Sequence, residues 1–246
     1  MIMKTRRPLH RPLPPAPFGP SHQQGSAMVE FAIVSPVAIL LVLVIIQLAL
    51  VFSAKEVLNE AAFAAARAGA LQHAQLGAVN QAGSMAQVMV QGLIPFYQDS
   101  TNTDNYARLR DAITQAASDV GCVGAASCML QVQVVNPAPT GGAFDDFGVT
   151  SSASQGHRYI PNDNLEYRSH GAGGKSGLSV QDANALRIKV TYGYPIKVPM
   201  MQAVIKSALC GVAASADCDN FYSQGRIPIV VYATVQMQTP AWEPDT

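Results

Sequence analysis

Charge is scarce in this chain. Only 13% of its 246 residues are Asp, Glu, Lys or Arg, and the 16 basic and 16 acidic groups cancel. With no net field there is no global attraction to nucleic acid, and no nucleic-acid partner is expected. Acidic residues are missing altogether before Glu30, and charges of both signs are missing from Phe31 to Ala54. Cysteine is sparse: Cys122, Cys128, Cys210 and Cys218 form no C-x-x-C pair, which argues against thioredoxin-type redox chemistry and zinc ribbons.

Catalytic patterns are missing as well. His10, His22, His73, His157 and His170 build no H-E-x-x-H or Cys/His ligand set. Ser176 lacks the second glycine of a G-x-S-x-G elbow, because position 178 is Leu178. Gly171-Ala172-Gly173-Gly174-Lys175-Ser176 is similar to the end of a phosphate-binding loop, but the first glycine of that motif falls on Ser169. The polar residues before it make a poor buried strand, so a flexible glycine loop is expected instead. Asp145-Asp146 lacks the alternating acids of a calcium loop and reads as a solvated turn. No enzyme, metal or cofactor is expected.

What the chain does have begins at the N-terminus. Residues 1–25 carry Lys4, Arg6, Arg7 and Arg11 without an acid, together with six prolines, and read as a basic, disordered leader. The 24 uncharged residues from Phe31 to Ala54 follow, broken only by Ser35, Pro36, Gln47 and Ser53; as a helix they reach about 36 Å, enough to span a bilayer with tilt. Residues 26–54 are therefore expected to be a transmembrane helix. Basic residues precede it, so the positive-inside rule puts the N-terminus in the cytoplasm and residues 55–246 outside. An ordinary secretory signal peptide fits poorly: the run is long, and a cut after Ala54 would place Phe52 where a small residue is needed.

On the outer side an even number of cysteines favours disulfides, with three pairings open and the local one, Cys122 with Cys128 and Cys210 with Cys218, topologically the least demanding. The Ala-rich, helical spacing of Val57, Leu58, Ala61, Ala62, Ala65 and Ala68 predicts that the long helix continues to about Val90, ending at Gly92 and Pro95. Tyr106, Leu109, Ile113, Ala116 and Val120 predict a second helix over 104–119. Period-2 alternation predicts strands at 130–134, 186–194 and 227–237, in an antiparallel sheet with one solvated face. A short helix is expected over 199–209, with Pro199 in its first turn. Residues 136–182 read as a polar loop or disordered insertion. The fold class is α+β.

Glu30 stands out, since a carboxylate costs about 2.5–3.5 kcal/mol at a bilayer centre and less near its edge. Together, Gly25-Ser26-Ala27-Met28-Val29-Glu30-Phe31-Ala32-Ile33-Val34-Ser35-Pro36, the apolar continuation and Arg67-Ala68-Gly69 resemble the N-terminus of TadE-like pseudopilins, minor pilins of the tight-adherence (type IVb, Flp) pilus system. The resemblance implies that a prepilin peptidase cuts between Gly25 and Ser26. Glu30, followed by Phe31, is then the fifth mature residue and an assembly contact, able to pair with the new amine of a neighbouring subunit. Pro36 implies a local kink. The implied partners are the peptidase, other pilins, the pilus assembly machinery and the bacterial inner membrane. The implied location is a single-pass protein with a periplasmic head, destined for a surface pilus used in adhesion or secretion. The competing expectation is an uncut anchor carrying a periplasmic binding domain.

Overall fold

The computed structural model describes residues 24–98, 103–121, 129–140, 142–151, 154, 156–198, 200–210 and 220–244. The chain divides into two units, Met1–Val42 and Leu43–Thr246. Helix α1, Gln24–Leu71, is the only described element of the first unit and the first element of the second. It passes through Pro36 without interruption. Between Met28 and Val42 every described side chain except the half-buried Ser35 is exposed, and nearly all are apolar.

In the second unit the same helix changes character. Ala54, Leu58, Ala61, Ala62, Ala65, Ala66 and Ala70 recur at helical spacing and are buried. Their small side chains let other elements approach closely. A Cβ added at Gly92 would lie 2.4 Å from the Cβ of Ala61 and 3.0 Å from its Cα. Gly92 belongs to helix α2, Met85–Tyr97, whose Met85, Met89 and Leu93 are completely buried.

The long helix therefore does not run on to Val90. It stops at Leu71, with His73 and Ala74 in the left-handed region at φ of 56° and 61°, and Ala74 N–H donates to Gly69 C=O at 2.9 Å. A tail from the other end of the chain completes this stop. Gln238 and Thr239 N–H both donate to Ala70 C=O at 3.1 Å, and Trp242 N–H donates to His73 C=O at 3.0 Å. These donors satisfy carbonyls that a helix end leaves open. The restart at Met85 has its own cause: Ser84 caps α2 by accepting from Gln87 N–H at 3.1 Å, while Gln87 Oε1 accepts from Gly83 N–H at 2.7 Å. Pro95 lies inside α2 and does not end it.

Helix α3, Asn105–Gly121, agrees with its expected span. So do strand β1, Leu130–Asn136, and two longer strands, Ala185–Pro195 and Arg226–Gln236. They form an antiparallel three-stranded sheet, with the Ala185–Pro195 strand central. The register sets Leu130 opposite Tyr192, Val132 opposite Val190, and Ile188 opposite Ala233. One face buries Leu186, Ile188, Val190, Tyr192, Ile229 and Val231, and Phe96 of α2 stacks on Tyr192 at 5.1 Å. The other face carries Arg187 over the Tyr232 ring, 4.9 Å from its centroid. The fold is α+β.

Residues 136–182 hold more structure than a loop. Helix α4, Ala143–Phe147, is followed by strands β2, Val149–Thr150, and β3, Arg158–Ile160, then by helix α5, Val180–Ala183. With β4 and β5 assigned to the long strands, the final strand β6, Ala241–Trp242, pairs with β3 and completes a small sheet in the order β2-β3-β6. Ala143, Phe144, Ile160, Val180 and Ala183 join the common core. Their spacing is too irregular for either period, which is why the pattern alone reads as a loop. Helix α6, Met201–Cys210, lies between β4 and β5 as expected; Pro199 lies outside the described residues.

Candidate functional site

The residues singled out around the proposed cut occupy the first two turns of α1. Gly25 and Ser26 are helical in backbone, and Ser26 precedes Glu30 by four residues, one turn along the same face. Glu30 is exposed and Phe31 is 72% exposed. Pro36 follows Ser35 inside the helix. Cys210 ends α6 in the other unit, whereas Cys122, Cys128 and Cys218 lie outside the described residues; among those described there is no free thiol.

From Met28 to Leu71 the helix is long and apolar enough to cross a membrane. From Met28 to Val42 its side chains are exposed, apart from the half-buried Ser35. Gln47 marks a change. This amide, 3% exposed, accepts from Val198 N–H at 3.2 Å through Oε1, and its Nε2 has no partner among the described residues. Leu50 and Val51 pack partly on the core, and Ala54 is inside it.

Residues 25–67 match the family model of the TadE-like proteins. The TadE-like segment therefore takes in both faces of α1: the exposed apolar turns and the buried alanine stripe almost to the helix end. It covers the Gly25 to Pro36 string and Arg67 on which the resemblance was read. The match fits a pilus-related membrane protein of a structural kind. No curated protein and no solved structure matches the chain.

Outside the TadE-like segment the other sequence candidates resolve into structural contacts. Lys175 and Ser176 N–H both donate to the Asp146 carboxylate, at 3.1 and 2.7 Å, and Ser176 Oγ donates to it at 2.7 Å. A side chain of the protein thus fills the place an anion would take in such a loop. A Cβ at Gly173 would fall 2.3 Å from Asp146 Oδ2, so the backbone approaches the carboxylate closely. These bonds, those from Ser176 foremost, hold the Asp146 carboxyl below its usual range. Asp145 is lowered by its hydrogen bond from Lys175, at 3.0 Å, and then by Arg158. The glycine loop is therefore a tied turn, and the acidic pair holds it.

His73 and His157 stack on Trp242, with ring centroids at 3.8 and 5.0 Å. His73 Nδ1 lies 2.9 Å from Pro240 C=O, so that nitrogen carries the proton and donates. No group of three His, Cys, Asp or Glu side chains that could hold a metal ion occurs among the described residues.

The contacts of two side chains are not predicted by the sequence pattern. Gln47 carried a signal, as the one amide in the apolar run. Tyr97 carried none: its hydroxyl donates to Asp119 of α3, beside Tyr192 of β4. Burial first, then Tyr192 and the bond to Asp119, push the Tyr97 hydroxyl far above the ordinary tyrosine range.

Proposed function

We propose that this chain is a pseudopilin, a minor or priming subunit of a tight-adherence pilus, cut between Gly25 and Ser26 and then assembled through α1. The observation that carries the proposal is the TadE-like match over a helix whose first turns hold Gly25, Ser26 and Glu30 in register and whose apolar side chains are exposed. In the bilayer those side chains contact lipid; in a filament, helices of other pilins replace it. Glu30 pairs with the Ser26 amine of a neighbour and sets the axial step. At a shielded depth such a pair resists the screening that weakens surface salt bridges. The N-terminus lies in the cytoplasm and the head in the periplasm, where the four cysteines pair in two disulfides.

The lipid-facing stretch in this reading is shorter than the uncharged run. Residues 28–46 rise about 28 Å as a helix, close to the roughly 30 Å of a hydrocarbon core, and Gln47 begins the part held by the head.

The test is the N-terminal mass of the membrane-extracted protein, with and without the peptidase. A mature chain starting at Ser26 supports the pilin reading, and a chain starting at Met1 in the presence of peptidase supports an uncut anchor with a binding head. Gly25→Ile is expected to leave only the uncut mass.

A further inference from the structure

Helix α6 is apolar and poorly covered. Of its ten residues only Met201 is buried; Ile205 is half-buried, Ala208 is exposed and Leu209 is 51% exposed. Met201, Val204, Ile205 and Ala208 share one face, and Leu209 flanks it. Just before the helix, Met200 is 76% exposed and held at φ of 67°, a left-handed conformation unfavourable for a residue with a side chain. Strain of that kind persists where the surroundings hold it, and here it presents a large apolar side chain to the outside. Lys197 and Lys206 are exposed, and no acid occurs from 197 to 210.

One hydrogen bond ties the approach to α6 to the long helix. Val198 N–H donates to Gln47, which lies inside the uncharged run of α1, so the approach to α6 touches α1 within that run. A ten-residue helix rises only about 15 Å and cannot cross a bilayer. A short helix with an apolar face and basic flanks, set beside the end of a membrane span, has the make-up of a segment that lies in the interface.

We infer that α6, with Lys197 and Met200, is a second membrane contact: an interfacial helix that lays Met200, Ile205, Ala208 and Leu209 against the lipid and its two lysines against anionic headgroups. The occupant of this face is the phospholipid surface. The lysines give it a preference for anionic lipid, and continuity with α1 through Gln47 gives it its depth. The effect is to hold the head against the bilayer until α1 is extracted. The inference rests on α1 being in the membrane and is independent of cleavage after Gly25.

The experiment uses the full chain in vesicles of phosphatidylcholine and phosphatidylglycerol whose acyl chains are brominated near the headgroup or near the methyl end. Trp242 is the one tryptophan of the sequence, so Trp242→Phe provides a silent background. Leu209→Trp and, independently, Met200→Trp probe the α6 face, and Leu40→Trp probes the span. At Leu209 and Met200 the shallow bromines are expected to quench more than the deep ones, and the order should reverse at Leu40. Lys197→Gln with Lys206→Gln, or removal of phosphatidylglycerol, should reduce quenching at the α6 probes and leave Leu40→Trp unchanged. Quenching at Leu40 with none at either α6 probe overturns the inference and leaves the anchor standing. Loss of quenching at α6 as protein density rises overturns it in favour of a second copy on this face. No quenching at any probe overturns the anchor as well.

Discussion

Glu30 owes its interest to position. Glu30 is an exposed carboxylate in the second turn of a helix, between the apolar Val29 and Phe31. If its task is to meet an amine in a filament, Glu30→Ala should insert into the membrane as well as the parent, or better, and fail to assemble. Cell fractionation and pilus counts separate the two effects, and normal piliation would remove the pairing role. Tyr97 is a second residue with a measurable signature. Its folded hydroxyl is held protonated, above the value of about 10 that it has in the unfolded chain. The folded state then keeps a proton that the unfolded state releases, so this contribution is complete below about pH 10 and declines as pH rises further. Thermal melts from neutral pH to about pH 11 should show a falling Tm, and Tyr97→Phe should be less steep over the upper part of that range.

At the scale of elements, the sequence was legible where one period ran uninterrupted. β4 alternates from Leu186 to Tyr192 and β5 from Ile229 to Gln236, and their register sets the buried residues Ile188, Val190 and Tyr192 opposite Ala233, Val231 and Ile229. α3 was equally plain. The break between α1 and α2 was not, since alanines and glutamines continue through it and its cause is distributed. The signal present was Ser84 with Gln87, a capping pair; the remainder lies in residues 238–242, far along the chain, which hold Ala70 and His73. The 136–182 region failed for a related reason. Its few core residues are single, and its acids and glycines are bound to one another, as Asp146 is to Ser176, instead of to water. Of the candidate site, Glu30 was readable as the one charge at the edge of the apolar run, whereas the cut after Gly25 rests on the resemblance to the TadE-like proteins. The end of the exposed stretch was not, because only the folded head shows that Gln47 is covered. Gly92→Val tests the closeness of α1 and α2: it should lower stability by about 1–3 kcal/mol through overpacking against Ala61, seen as a lower denaturant midpoint.

For the whole molecule, one helix serves two environments. Its first half presents exposed apolar side chains, and its alanine half is the spine of a packed head. A head built on small residues gains less per buried side chain than one built on leucines, so the proposed disulfides would add a useful share, on the order of 2–4 kcal/mol for each loop closed. Alkylation of the native, unreduced protein should leave all four cysteines unlabelled, and full labelling would remove the disulfides from the proposal.

The tail that caps α1 also dictates an order of events. Ala70 and His73 leave the ribosome long before Gln238, Thr239 and Trp242, whose amide groups close the end of α1. During synthesis the span can enter the bilayer while the end of α1 still lacks these partners and β3 still lacks β6. The head is completed only when residue 242 has joined residue 73, so its two ends close together and a chain cut short before Gln238 leaves both the end of α1 and the small sheet open.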